Sequence, residues 1–113
     1  MMNIDNELLD LQSEGEHALL TIKCDLTVSN AARLTESLLQ IVDQFDFLKV
    51  DTLGVGETDV AGIQLLLSLR QQMVNKNKVL EFTLASPLLA ETVQLLGLRS
   101  TLNFPAAAAT DKS

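Results

Sequence analysis

The stretch "GVGETDVAGIQLLLSLR", Gly54 to Arg70, runs from a glycine-spaced turn through Asp59 straight into an apolar segment. Three readings are open: a phosphate cradle, a catalytic acid on a loop, or a surface that receives another polypeptide. Its second half sets the fold, because from Ala61 to about Val74 apolar residues fall on most sides of a helix until "NKNK" ends the run. Such a helix is either packed centrally or covered by a partner. Leu66, Leu69 and Met73 share one stripe by spacings of three and four, whereas Ile63, Leu67, Arg70 and Val74 make a neighbouring one. Spacing leaves open which stripe faces a sheet.

Working outward, "FLKVDTL" before this segment and "VLEFTLA" after it read as strands. In "SPLLAETVQLLGLRS", Ser86 is placed to cap a helix, Pro87 stands at the first helical position, and Gly97 sits where a left-handed terminal cap is expected. Upstream, Leu34, Leu38, Ile41, Val42 and Phe45 recur on one helical face. Thr27 or Ser29 is the expected cap, and Arg33, Glu36, Gln40 and Asp43 fall on the wet side. Before that helix, "ELLDLQSEGEHALLTIKCDL" reads as a hairpin turning at "SEGE", with Leu20, Ile22 and Cys24 alternating against Thr21 and Lys23. The order is strand, strand, helix, strand, helix, strand, helix. Alternation in the second half predicts parallel strands joined by crossovers, with the hairpin as an antiparallel edge. The expected divisions are a partly ordered segment 1–7, one domain over 8–104, and a flexible tail over 105–113.

Composition bounds the function. A chain of 113 residues, 47% hydrophobic and 20% charged, is a single globular domain with a core of its own. With four Phe and neither Trp nor Tyr, it has no aromatic platform for bases or sugars. A net charge of −7, from eight cations against fifteen acids, argues against nucleic acid and anionic membranes. No apolar run approaches the roughly 20 residues of a membrane span, and the acidic "MMNIDNELLD" is unlike a signal peptide. We expect a cytoplasmic protein with no membrane insertion. One cysteine and one histidine give no internal disulfide and no metal-ligand spacing, and no cofactor is expected.

Each candidate residue has a bland reading. Gly54 and Gly56 lack a third glycine at dinucleotide spacing and a following Gly-Lys-Ser/Thr, so tight or positive-φ turns are expected there. His17 is expected at an exposed turn, and Cys24 as a small buried hydrophobe. Asp25 and Asp51 end two strands and, with Asp59, make one negative pole rather than a catalytic pair. Asp59 itself suits the cap of the following helix, where free amides and the helix dipole favour a carboxylate.

Taken together these residues resemble the STAS family of anti-sigma factor antagonists and sulfate-transporter domains. In its common pattern a strand ends in aspartate, and eight positions later Asp-Ser-Ser-Gly opens a Leu-rich helix. Here Asp51 closes "LKVD", and eight positions on comes "DVAG", Asp59 to Gly62, opening "IQLLLSL". The stretch "SPLLAETVQLLGLRSTLNF" is similar to the family's last helix, with its Leu-Gly-Leu before a short apolar end. The resemblance implies an α/β STAS-like layer, a mixed four- to five-stranded sheet with a parallel core and helices packed mainly on one face. It also implies a non-catalytic, protein-binding regulatory module docking through the loop and helix at 57–70, by Thr58, Asp59, Val60, Ala61, Ile63, Gln64 and Leu67. The departure matters as much. The family's phosphoacceptor serine falls on Ala61 and the preceding serine on Val60, so neither position bears a hydroxyl. Thr58 is a nearby hydroxyl, but it precedes Asp59 and is displaced from the family's acceptor position. Loops of this type are similar to those of chemotaxis-associated STAS proteins and of small subunits of lipid-transport ATPases. The implied partner is therefore an anti-sigma or histidine-kinase-like protein, a chemotaxis component or a transporter ATPase. The alternative from another class is a small-ligand or nucleotide sensor rimmed by Gly54 and Gly56.

Overall fold

The structure is a computed structural model that describes residues 3–106. Its five strands are β1 (Ile4–Asp5), β2 (Leu9–Glu14), β3 (His17–Ile22), β4 (Phe47–Thr52) and β5 (Val79–Ala85). Its four helices are α1 (Val28–Gln44), α2 (Val60–Asn75), α3 (Pro87–Leu95) and α4 (Arg99–Leu102). Strand order in the sheet equals chain order; β1, β2 and β3 pair antiparallel, whereas β3, β4 and β5 pair parallel. The hairpin turns at Gly15 and Glu16, within "SEGE", with Glu14 opposite His17. The short strand β1 and the single turn α4 are additions to the elements legible in the sequence. Most of the tail expected from Pro105 onward lies outside the described residues.

The one-sided architecture follows from connectivity. The crossovers through α1 and α2 each step one strand in the same direction, and right-handed connections then place both helices on the same face. That face holds the core: Leu9, Leu11, Leu20, Ile22, Leu48, Val50, Leu80 and Phe82 are buried on alternate positions. The opposite face is open, with His17 stacked on Phe47 at 4.4 Å beside exposed Leu19, Lys49 and Glu81. A register shift after Val50 pairs Asp51 with Leu84, skipping Thr83. The alternation of β5 is thereby reset, so Ala85 turns inward and Leu84 outward.

Within α2 the stripe of Leu66, Leu69 and Met73 is buried, joined by Gly62, Ile63 and Leu65. Arg70 is half-buried and donates to the Leu80 carbonyl oxygen at 2.9 Å, and Val74 is exposed. The apolar surplus of this helix is absorbed by α1, since Leu38 and Val42 line a shallow groove with Leu65 and Leu69. Central packing, rather than a covering partner, accounts for most of it.

Helix ends are held by specific groups. Ser86 caps α3 by accepting from the Leu89 amide, and Gly97 at φ +71° closes it with Leu98 N–H bonded to Val93 O and Gly97 N–H to Gln94 O. The same pair of bonds ends α2 around Asn77 and α4 around Asn103, both at positive φ. Lys78 finishes α1 from a distant part of the chain: its largely buried ammonium donates to Val42 O at 2.5 Å and lies 3.8 Å from the Asp46 carboxylate. The Val42 carbonyl belongs to the last turn of α1, where carbonyls lack partners inside the helix and sit at the negative end of its dipole. Lys78→Met keeps the apolar stem but removes the cation, and should cost about 1 kcal/mol in denaturant unfolding with an unchanged m-value.

Candidate functional site

Because β3, β4 and β5 are parallel, their C-terminal ends and the helix starts that follow share one edge of the sheet. Two loops meet there. Leu26 N–H donates to Glu57 O at 2.8 Å and Asp59 N–H donates to Leu26 O at 3.0 Å, an isolated parallel bridge between the segments before α1 and before α2. The Asp25 carboxylate accepts from the Glu57 amide at 3.1 Å, and the Asn30 side chain donates to Asp25 O.

Asp59 completes the junction. One carboxylate oxygen accepts from Gly62 N–H at 3.2 Å, capping α2, and the other accepts from Val28 N–H at 3.0 Å, in the first turn of α1. Thr27 precedes α1 but makes no capping hydrogen bond, and its hydroxyl lies 3.2 Å from that of Ser29. The cap expected from Thr27 or Ser29 thus comes from Asp59, 31 residues further along the chain. The Val28 amide holds the Asp59 carboxyl below its ordinary value of 3.8, helped by the amides of Gly62 and Ala61 against a smaller opposing desolvation.

The glycines act by proximity. A side chain at Gly62 would meet the Leu26 carbonyl oxygen and lie 2.6 Å from Leu26 Cβ, so only glycine lets α2 start against this loop, despite its helix cost of about 1 kcal/mol. Neither Gly54 nor Gly56 has a positive φ, contrary to one of the turn roles expected for them. At Gly56 a Cβ would stand 2.5 Å from the Asp25 carboxylate, whereas at Gly54 it would meet nothing closer than 3.5 Å.

The residues expected at the docking surface separate clearly. Val60 is 73% exposed, Asp59 and Gln64 are exposed, and Thr58, Ala61 and Leu67 are partly so. Ile63 is a correction: at 5% exposure it belongs to the core, because its spacing of three from Leu66 puts it on the buried face of α2. The Thr58 hydroxyl oxygen is buried and lacks a hydrogen-bond partner, which removes it from easy reach of a modifying enzyme. Val28, the first residue of α1, is 68% exposed beside this junction and carried no signal in the sequence. Asp25 and Asp51 do lie at the same edge as Asp59, Asp51 accepting from the Leu53 amide at 2.8 Å. Cys24 lies past the end of β3 and is half-buried; burial first, and the Asp25 charge second, push its thiol pKa up. His17 opens β3, far along the strand from this edge. Among the described residues no group of His, Cys, Asp and Glu is placed to hold a metal ion, and no helix is long and apolar enough to cross a membrane.

The family model described as "Mlab, STAS domain" matches residues 9–103, covering both loops and every strand of the parallel core. The chain belongs to the STAS family. Solved structures similar to this STAS domain include an anti-sigma factor antagonist from Mycobacterium paratuberculosis, with a TM-score of 0.74 and 17% identity over 88% of this chain and 83% of that one. SpoIIAA in its unphosphorylated form has a TM-score of 0.71 at 13% identity, covering 88% of each chain. The Bacillus cell fate determinant SpoIIAA in its phosphorylated form has a TM-score of 0.67 at 13% identity, over 88% of this chain and 91% of that one. At these identities the likeness is one of fold. A sequence search of curated proteins finds no match.

Two outcomes test the junction. Gly62→Ala should destabilise the STAS domain by about 3 kcal/mol or more, while Gly54→Ala stays within about 0.5 kcal/mol, both read from denaturant midpoints. For Asp59 the folded-state pKa is depressed, so its contribution is complete above the ordinary carboxyl value and is lost as pH falls through the folded one. Unfolding midpoints measured from neutral pH down to about pH 3 should therefore fall more steeply for the wild type than for Asp59→Asn.

Proposed function

We propose that the protein is a non-catalytic regulatory module of the cytoplasm that binds another protein through the turn before α2 and the first turns of that helix. The observation that carries this reading is Val60: a β-branched aliphatic 73% exposed at the first position of a helix whose start is clamped on both sides. Exposed apolar side chains on rigid backbone lose little conformational freedom on binding, and a loop–helix junction is a common place to present them. Asp59, Ala61, Gln64 and Leu67 flank it, with Thr58 contributing backbone rather than its buried hydroxyl. Membership of the STAS family supports the assignment, as do similar folds described as anti-sigma factor antagonists. The partner classes in view are an anti-sigma or histidine-kinase-like protein, a chemotaxis component, or the ATPase of a transporter.

Regulation by phosphate at the usual loop position is chemically closed, since Val60 and Ala61 have no hydroxyl to esterify. Similar folds occur in phosphorylated and unphosphorylated forms. We read Ala61 as holding this chain in the binding-competent condition, so that release occurs by mass action or the complex is permanent. A nucleotide at the Gly54/Gly56 rim is not favoured, because the Asp25 carboxylate stands against Gly56 and would repel phosphate.

A partner captured from native cell extract and identified by mass spectrometry allows the test. Val60→Glu and Ala61→Asp should each weaken its affinity by about tenfold or more, while Leu95→Glu, on the exposed end of α3, leaves it unchanged. Equal affinity for all three variants would move the docking site elsewhere.

A further inference from the structure

Resting on that docking reading, we propose that the partner surface is an apolar patch ringed by Arg or Lys, and that it seats across the starts of α1 and α2 together, not on α2 alone. The parallel strands bring exposed aliphatics to one edge: Val28 opens α1, Leu53 follows β4 and Val60 opens α2. Val28 is tied to the residue preceding Val60, since the amide of Val28 donates to the carboxylate of Asp59. Ser86 N–H donates to Thr52 O, holding the start of α3 to the end of β4.

Around these aliphatics stand Asp25, Asp51, Glu57 and Asp59. None of them is in an ion pair among the described residues, whereas Asp5, Glu7, Asp43 and Asp46 elsewhere are paired with Lys or Arg. The cations next along the chain, Lys23 and Arg33, are already engaged by Asp5 and Glu7. Asp25 and Asp59 are moreover fixed in orientation by backbone amides, so their charges point from a rigid base. An acidic or phosphate-bearing partner would meet uncompensated repulsion here. A partner that brings cations to the rim and aliphatic surface to the centre gains both from displaced water and from complementary charge, and Arg is the cation interfaces favour.

The test pans a randomised peptide display library against the immobilised full chain, then titrates the selected synthetic peptides at low and high salt. Peptides that combine Arg or Lys with aliphatic residues are expected. Val28→Glu and Val60→Glu should each weaken them by about thirtyfold, with Leu95→Glu neutral. Asp25→Asn with Glu57→Gln preserves the Asp25 acceptor geometry, and should weaken binding about fivefold at low salt and flatten its salt dependence. Peptides lost on Val60→Glu but indifferent to Val28→Glu, to the neutralised pair and to salt would overturn this inference and leave the docking reading standing. Acidic or uncharged selected peptides that still need Val60 would do the same. Failure to select any peptide sensitive to Val60→Glu would overturn both.

Discussion

One carboxylate holds two helices. Asp59 divides its oxygens between the amide of Gly62 in its own helix and the amide of Val28 in the helix before. A helix start leaves backbone N–H groups without internal partners, and here two such starts share one acceptor. The two loops can lie close enough for this only because Gly62 has no side chain to strike Leu26 and Gly56 leaves room for Asp25. The shape of the edge, with Val28 and Val60 turned outward together, depends on that contact.

The one-sided sheet explains where function can sit. With both crossover helices on the same face, α1 and α2 pack against each other and against the sheet, and nearly all the leucines of α2 are consumed. What remains for a partner is the beginning of the helix rather than its flank. There the chain emerges from a strand end and the next turn has not yet entered the core. Ile63 shows how abrupt the boundary is: it is buried only three positions after the exposed Val60.

Much of the fold was legible because its signals are local. Alternation in β3 and in the first half of β5, the three-and-four spacing in α1, the Ser86-Pro87 start and the Gly97 stop of α3 each depend on neighbours a few residues away. The element order and the "DVAG" spacing carried the family. Less was legible where distant segments meet. Val28 gave no hint of being at the site, the register shift in β5 reversed the faces of Leu84 and Ala85, and the true acceptor at the start of α1 lay 31 residues away.

By itself the sequence determined the class of the fold, the kind of core, and the absence of a hydroxyl at positions 60 and 61, since these follow from side-chain chemistry and short-range periodicity. Tertiary structure alone decided which stripe of α2 is dry, that Ile63 is core, and that Asp59 serves two helices. The reason is that burial and the pairing of backbone amides are settled by what the rest of the chain places alongside, and a linear pattern does not record those distances.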